Sequence, residues 1–405
     1  MPAAAADRVT GAFPATLARL VARYNPGVFE LGRRSARLRL EGAGPGLVDV
    51  VIDERGARLV VADTRRRADA TLTADPRTWS AIERDLGGGM AAYRAGRLSV
   101  RHDLHLGVGF LAATAAPSET GLRFRRITTS MGDLSISEAG IGPPVLLIHG
   151  LGATKVSFLP TVAAMAPHHR AIAVDLPGFG DSTKPIRAGY DAPYFAAAMV
   201  ALLDALEIDS AFVVGNSMGG RIAIELGLEY PSRVLRLGLL APSLAWRKPR
   251  PWAPYLRLLI PQLGLLQPAP RSIVEPIVRG LIPGGDEGWT AAGVDEFLRA
   301  YLSPRGRAAF YAAARNIYLE EPFGPRGFWN RLPGLDRPAL FIWGRRDPLV
   351  PLGFAQHVRR ALPSSQDLVL ECGHVPQLER PQETHAALAR FFATRERASQ
   401  VSART

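Results

Sequence analysis

The spacing of apolar and polar positions changes character once along the chain. In the first part, ARLRLEG (36–42), LVDVVID (47–53) and ARLVVAD (57–63) alternate, or nearly alternate, apolar with polar residues, and GAGPG and ERG turns separate them. A period of two with turn punctuation predicts strands, here an antiparallel meander that ADATLTA (68–74) continues. A short helix is expected at 14–24, further helices at PRTWSAIERDLGG and GMAAYRAG, a strand at RLSVRHD (97–103) and a closing helix at LHLGVGFLAAT. Together these describe a small α+β domain over residues 1–115. The turn-forming stretch TAAPSETG, near 115–122, marks its boundary.

From residue 122 the pattern is strand and helix in alternation. LRFRRITT and DLSISEAG suit an opening hairpin. VLLIHG (145–150), AIAVDLPG (171–178), FVVGNS (212–217), VLRLGLLAP (234–242), ALFIWG (339–344) and DLVLECG (367–373) follow as short apolar runs, with helical stretches between them. Such runs argue for a parallel sheet covered on both faces, in a domain spanning 122–395. One long interruption, from Ser243 to about Pro338, carries Pro-punctuated helical stretches such as YLRLLIPQLGLL and SIVEPIVRGLI. It reads as a helical cap, at about 244–330, whose leucines, isoleucines and tryptophans are expected to lie above the sheet as an apolar roof.

Composition narrows the partners. A chain of 405 residues exceeds the size at which one core stops growing, and 47% hydrophobic with 21% charged residues is ordinary for a folded protein. The net charge of +12 raises the question of nucleic acid, but only Lys155, Lys184 and Lys248 are lysines. The arginines are scattered among Ala and Gly, as coding bias produces, and Arg65-Arg66-Arg67 falls at an expected turn, so no nucleic-acid partner is expected. Cys372 is the single cysteine, which excludes an internal disulfide. No signal-like N-terminus and no 18-residue uncharged apolar run appears, so a cytoplasmic protein without a transmembrane segment is expected.

The chemistry concentrates in GNSMGG (215–220), which follows the apolar strand FVV and precedes the helical pattern RIAIELGLEY. Gly-x-Ser-x-Gly in that context is a nucleophile elbow: Gly215 and Gly219 remove side chains that would collide in a sharp turn, and Ser217 projects above the sheet. Serine needs a histidine as base and a carboxylate to orient it, in the chain order Ser, Asp, His. Asp347 in WGRRDPLVP and His374 in CGHVPQLERP each follow a strand and complete the catalytic set. The oxyanion of a tetrahedral intermediate needs two N–H donors, expected from the backbone of Met218 and of Leu151 in HGLGAT.

Other candidates have structural readings. His149 is expected to shape the oxyanion loop, and Asp175 in DLPGFGDS to hold its loop by hydrogen bonds. His102 and His105 lack a third ligand or a nucleophile and are expected at the surface. Solvated positions are likewise expected for His168, His169, His357 and His385, and Asp336 for the wrong end of its strand. No metal and no cofactor is expected.

Two resemblances follow from these residues. HGLG, DLPGFGDS, GNSMGG, WGRRDPLVP and GHVPQLERP, in order, resemble the α/β-hydrolase family over about 122–395. This implies an α/β fold: a hydrolase sheet with an inserted helical cap, preceded by the small α+β domain. Ser rather than Asp at position 217 departs from the related haloalkane dehalogenases and epoxide hydrolases. DATLTADPRTW and MAAYRAGRLSVRHDLHLGVGFL resemble sterol-carrier-protein-2 type lipid-binding domains over about 35–113, which implies a fatty acyl or sterol ligand. A solid core fits the same apolar pattern.

The expected activity is hydrolysis of carboxylic esters of hydrophobic, lipid-like substrates through an acyl-enzyme on Ser217. One alternative is a carbon–carbon bond hydrolase of the meta-cleavage-product type, which GNSMGG resembles. Against it stand HGLGATKV, without a longer Gly-Pro-Gly-Ala loop, and Val375 where that branch has an aromatic residue. The other alternative is a lipid-binding or transfer protein whose hydrolase part is a non-catalytic scaffold.

Overall fold

The computed structural model describes residues 13–84, 92–93, 95–248, 253–258, 260–281 and 288–393. The helix expected at GMAAYRAG and the end of PRTWSAIERDLGG fall largely outside the described residues, as do 1–12 and 394–395 of the two expected domains and parts of the expected cap.

The N-terminal region forms a five-stranded sheet from β1 (Ser35–Glu41), β2 (Val48–Asp53), β3 (Gly56–Val61), β4 (Ala70–Ala74) and β5 (Leu98–Arg101). Its order is β3-β2-β1-β4-β5. The first three strands are the expected meander, but β4 does not continue it: it pairs parallel to β1, with Leu38 opposite Ala70 and Leu40 opposite Leu72. The reason lies in Asp69, whose N–H donates to Arg37 O at 2.8 Å and whose Oδ2 accepts from Arg37 N at 2.8 Å. That side chain anchors the start of β4 on β1 across the sheet. Helices α1 (Ala15–Ala22), α2 (Pro76–Arg84) and α3 (Leu104–Ala113) cover one face. Leu17, Leu20, Leu38, Val50, Leu72, Trp79 and Phe110 are buried there.

A second sheet has eight strands in the order β13-β12-β11-β10-β8-β9-β7-β6. These are β6 (Arg123–Thr129), β7 (Gly132–Ala139), β8 (Pro144–Ile148), β9 (Arg170–Val174), β10 (Ala211–Asn216), β11 (Val234–Leu240), β12 (Ala339–Gly344) and β13 (Gln366–Leu370). The β6–β7 hairpin joins antiparallel to β9, and the pairs from β9 through β13 are parallel. Alternate residues of β8 enter opposite cores: Leu146 and Ile148 one, Val145 and Leu147 the other. Both faces are therefore dry, which is why these strands read as unbroken apolar runs. Helices α4 (Leu159–Met165), α5 (Ala192–Ala205) and α6 (Met218–Glu229) follow β8, β9 and β10. Between β11 and β12 the chain is helical, with α7 (Arg271–Leu281), α8 (Gly288–Tyr301) and α9 (Pro304–Tyr318); α10 (Gly353–Ala361) and α11 (Pro381–Ala393) complete the order.

The expected apolar roof is only partly there. Val278 of α7 packs on Val294 and Leu298 of α8, but Leu258, Leu263, Leu266, Ile273 and Ile277 face solvent. The stretches are amphipathic, and their apolar positions are divided between the two sides. Among the described residues no helix is long and apolar enough to cross a membrane.

The boundary near 115–122 is a turn in the chain but not a break in the core. Phe124, Val156, Leu159 and Ala292, all beyond it, belong to the apolar cluster of the N-terminal sheet. Phe124 N donates to Val28 O at 2.7 Å, and Phe29 bridges parallel to Phe124 beside β6. At this seam lies a cavity of about 550 Å³, lined by Val100, Val108 and Leu111 on one side and Leu122, Leu159 and Ala163 on the other.

Candidate active site

The sheet delivers Ser217 at the carboxyl end of β10, between β8 and β11. Ser217 adopts φ +55° and ψ −117°, a conformation that costs a non-glycine residue strain and is characteristic of an elbow. A Cβ on Gly215 would lie 2.2 Å from Gly219 O, and one on Gly219 would lie 2.0 Å from Ile148 O. No side chain fits at either position. Ser217 N donates to Leu240 O at 3.0 Å and Ser243 N donates to Ser217 O at 2.9 Å, so the end of β11 holds the strained turn on both sides.

Asp347 and His374 follow β12 and β13, the two strands beyond β11. His374 Nδ1 lies 2.7 Å from Asp347 Oδ2, while Asp347 Oδ1 accepts from Leu349 N at 2.8 Å and Val350 N at 2.9 Å. A carboxylate fixed by two backbone donors holds the ring in one orientation and leaves Nε2 as its free nitrogen. No hydrogen bond joins Ser217 Oγ to the ring among the described contacts.

Two residues that sequence reasoning passed over brace this geometry. Asn216 Nδ2 donates to His374 O at 3.1 Å and to Leu240 O at 3.0 Å, tying the His374 loop to the strand that ends at Ser217. Glu379 accepts from Gly373 N at 2.6 Å and Val375 N at 2.9 Å on either side of the histidine. Their only sequence signals are position: Asn216 directly before the serine, Glu379 five residues after the histidine.

Leu151 follows β8 and Met218 opens α6. As the first helical residue, Met218 has no intrahelical acceptor for its N–H. Buried His149 receives Leu176 N on Nε2 at 3.0 Å, which makes it the Nδ1–H tautomer, donating to Gly150 O at 2.7 Å. Burial holds its pKa below the ordinary value. Gly152 has φ +75°, and a Cβ there would sit 2.6 Å from the Phe297 ring and 3.3 Å from that of Phe310. Aromatic residues of α8 and α9 thus press directly on the loop after β8.

Behind that loop is a buried ionic cluster. Asp175 accepts from Lys155 N at 2.7 Å, Lys155 Nζ at 2.6 Å and Asp181 N at 2.9 Å, with both Lys155 and Asp175 fully buried. Burial alone would raise the Asp175 carboxyl, but the Lys155 ammonium, His149 and the Asp181 N–H together hold the pKa below the usual range. Arg299 of α8 makes paired bonds of 2.8 and 3.2 Å to Asp181. Glu296 of α8 accepts from Leu104 N at 2.8 Å, His105 N at 3.1 Å and Thr154 Oγ1 at 3.3 Å. Its neighbour Asp295 accepts from Arg101 Nε at 2.7 Å and His102 N at 2.9 Å. One turn of α8 therefore caps α3, holds the end of β5 and touches the loop after β8.

This cluster corrects the reading of His105, which is buried 3.4 Å from Asp181 and between the rings of Phe29 and Phe124. His102, with φ +74°, is half-buried. His385 is also buried, 3.0 Å from Thr161 Oγ1; His357 is half-buried against Trp329, and His169 against Phe212. His168 is exposed, as is Asp336, which pairs with Arg337.

A serine at a strand-to-helix elbow, with an Asp–His pair after two further strands of a doubly wound sheet, is the architecture of a hydrolase. A family model of the alpha/beta hydrolase fold matches residues 143–381, more than half of the chain, and the chain belongs to that family. It is 30% identical over 253 residues to the dihydrolipoyllysine-residue acetyltransferase component of the acetoin cleaving system of Pseudomonas putida, a match spanning 62% of this chain and 64% of that protein. This chain thus covers less than two thirds of that relative's length. Identity is 28% over 251 residues to the pimeloyl-[acyl-carrier protein] methyl ester esterase of Aeromonas hydrophila, covering 62% of this chain and 95% of the esterase. With the 2-hydroxymuconate semialdehyde hydrolase of Pseudomonas sp. strain CF600 it is 27% over 276 residues, or 64% and 90% of the two chains. Among solved structures, a membrane phospholipase A described as a bacterial virulence factor superposes with a TM-score of 0.55 at 28% identity, covering 67% and 86%.

Proposed function

We propose that the protein is a serine hydrolase of carboxylic esters with a hydrophobic acyl or alcohol part, working through Ser217, His374 and Asp347. The carrying observation is the 2.7 Å contact between His374 and an Asp347 carboxylate locked by two backbone N–H groups, beside a serine held at positive φ. Ser217 Oγ attacks the ester carbonyl carbon while His374 Nε2 takes its proton. The Leu151 and Met218 N–H groups receive the oxyanion. Collapse expels the alcohol, which takes the proton from His374, and leaves an acyl-Ser217. Water, deprotonated by His374, attacks the acyl carbon through a second tetrahedral intermediate and releases the acid and free serine. The serine–imidazole contact is one that tightens in the Michaelis complex.

The aromatic group of Phe297, Tyr301 and Phe310, above Gly152, supports an apolar acyl site. The likeness to a pimeloyl ester esterase and to a phospholipase supports the same substrate class. Each CH₂ buried adds about 0.8 kcal/mol, roughly fourfold in kcat/KM. On p-nitrophenyl esters, kcat/KM is expected to climb from acetyl to at least medium chains before pocket length limits it. A strong preference for acetyl esters contradicts the reading.

Likeness to a semialdehyde hydrolase carries a second reading, carbon–carbon cleavage by the same serine; turnover of vinylogous diketones without ester turnover would establish it. We assign two functional units, 1–115 and 122–395 with a cap at about 244–330. The first, with its resemblance to sterol-carrier domains, holds a fatty acyl or sterol ligand, for which the seam cavity has room. A cytoplasmic location suits the lone thiol of Cys372, which burial pushes up to about 12.

A further inference from the structure

Half of the large apolar residues that the described protein leaves exposed fall in one stretch, residues 255–277, while the others are spread along the rest of the chain. Tyr255 is 72% exposed, Leu258 78% and Leu266 81%. Leu263 and, one helix later, Ile273 and Ile277 are each more than half exposed. Ile273 and Ile277 are four residues apart and so share one face of α7, while Val278, on the other side, is buried. Exposed apolar side chains gathered in one short segment of an otherwise well-packed protein mark a contact surface rather than chance.

Charge identifies what it contacts. Between Ser243 and Leu281 the sequence holds Arg247, Lys248, Arg250, Arg257, Arg271 and Arg279 against a single acid, Glu275. Glu275 is shared by Arg271 and Arg279, and Arg271 pairs with Asp295 of α8 as well. Arg257 and Lys248 are exposed, and Arg257 sits next to Leu258 in the sequence. Protruding apolar side chains with the exposed cations Arg257 and Lys248 in the same part of the insertion match an interface whose interior is apolar and whose surface is anionic. A protein partner of ordinary composition would offer the apolar part without the continuous negative field.

We propose that residues 255–277 of the insertion form a docking face for an anionic lipid surface, on which the side chains of Leu258, Leu266, Ile273 and Ile277 enter the acyl boundary while Arg257 and its neighbours meet the headgroups. The face lies on the same insertion between β11 and β12 as Phe297 and Phe310. Binding does not depend on the chemistry of Ser217, and Ser217→Ala protein should bind equally well.

The test is sedimentation of the full chain with vesicles of phosphatidylcholine alone or with about one third phosphatidylglycerol, at low salt. Expected is at least tenfold stronger partitioning onto the anionic vesicles, reduced severalfold by raising salt to about 0.5 M, where charges are screened within a few Å. Ile273→Asp/Ile277→Asp should weaken binding at least tenfold, and Arg257→Glu severalfold on anionic vesicles only. Both variants should keep the thermal midpoint and the turnover of a short soluble ester, since neither position is part of the proposed catalytic set. Equal partitioning of wild type and both variants overturns the proposal. So does a wild-type dimer that the Asp variant dissociates, without vesicle binding, which would make this face an interface between copies.

Discussion

The active site and the junction between the N-terminal sheet and α8 are built from the same materials, buried polar groups on rigid elements, but are assembled over very different distances in the chain. At the candidate active site the backbone conformation is set locally, Asp347 by the N–H groups of Leu349 and Val350 and the Ser217 turn by Gly215 and Gly219, before longer-range bonds such as Asn216 to His374 join the pieces. At the junction, Arg101 meets Asp295 and Leu104 meets Glu296 across more than 190 residues. A catalytic motif can be short because the backbone turn does the positioning, whereas a junction between units has to recruit its charges from whatever segments the topology brings together.

The comparison is broken first by removing the catalytic groups. Ser217→Ala and His374→Ala should each lower kcat by about 10⁴ to 10⁶, and Asp347→Asn should also be severe, with the fold unchanged, because such groups act as a unit. Steady-state rates on a p-nitrophenyl ester, with circular dichroism as control, measure this. Ser217→Ala activity near that of the parent would remove the assignment.

At the junction the expected effect is on stability. Lys155→Met strands the buried Asp175 carboxylate, and removing one partner of a buried pair costs about 3–5 kcal/mol. Thermal unfolding should show a clear fall in midpoint that Lys155→Met/Asp175→Asn partly restores. An unchanged midpoint would mean that the pair adds nothing to the loop.

A smaller effect sharpens the contrast. Burial, with Lys155 nearby, lowers the His105 pKa from 6.5 to about 4, against the opposing pull of Asp181. His105 is therefore neutral in the fold, while the unfolded chain takes up a proton below about pH 6.5. Stability is lost as pH falls from about 6.5 to about 4, where the unfolded state binds more protons. His105→Gln should flatten that acid limb in unfolding midpoints measured from pH 7 to 4. An unaltered slope would assign the acid sensitivity to other groups.

This difference in chain distance also governs what the sequence discloses. The eight strands of the hydrolase sheet, the strand-to-helix turn at Ser217 and the strand-end positions of Asp347 and His374, the proposed acid and base, are visible because each is a local pattern with its own turn chemistry. The crossover of β4 onto β1 is not visible, since it depends on Asp69 reaching Arg37 from a distant segment. His105 and His385 look like surface histidines for the same reason: nothing nearby in the chain announces Asp181 or Thr161. Lys155 escapes notice within HGLGATKV because its partners lie 20 and 26 residues away. In the insertion the apolar period is evident, but the side of the helix that meets protein is set by α8, so Ile273 and Ile277 point outward instead of roofing the serine.

The claim that Ser217 is the nucleophile is tested most directly by mapping its covalent adduct. The intact protein is exposed briefly to a fluorophosphonate, digested, and its peptides are weighed by mass spectrometry, with Ser217→Ala treated in parallel. The expected result is one stoichiometric adduct on the peptide containing Ser217, absent from the variant. Ester turnover by a protein that carries no adduct there, or carries it on another residue, would contradict the account.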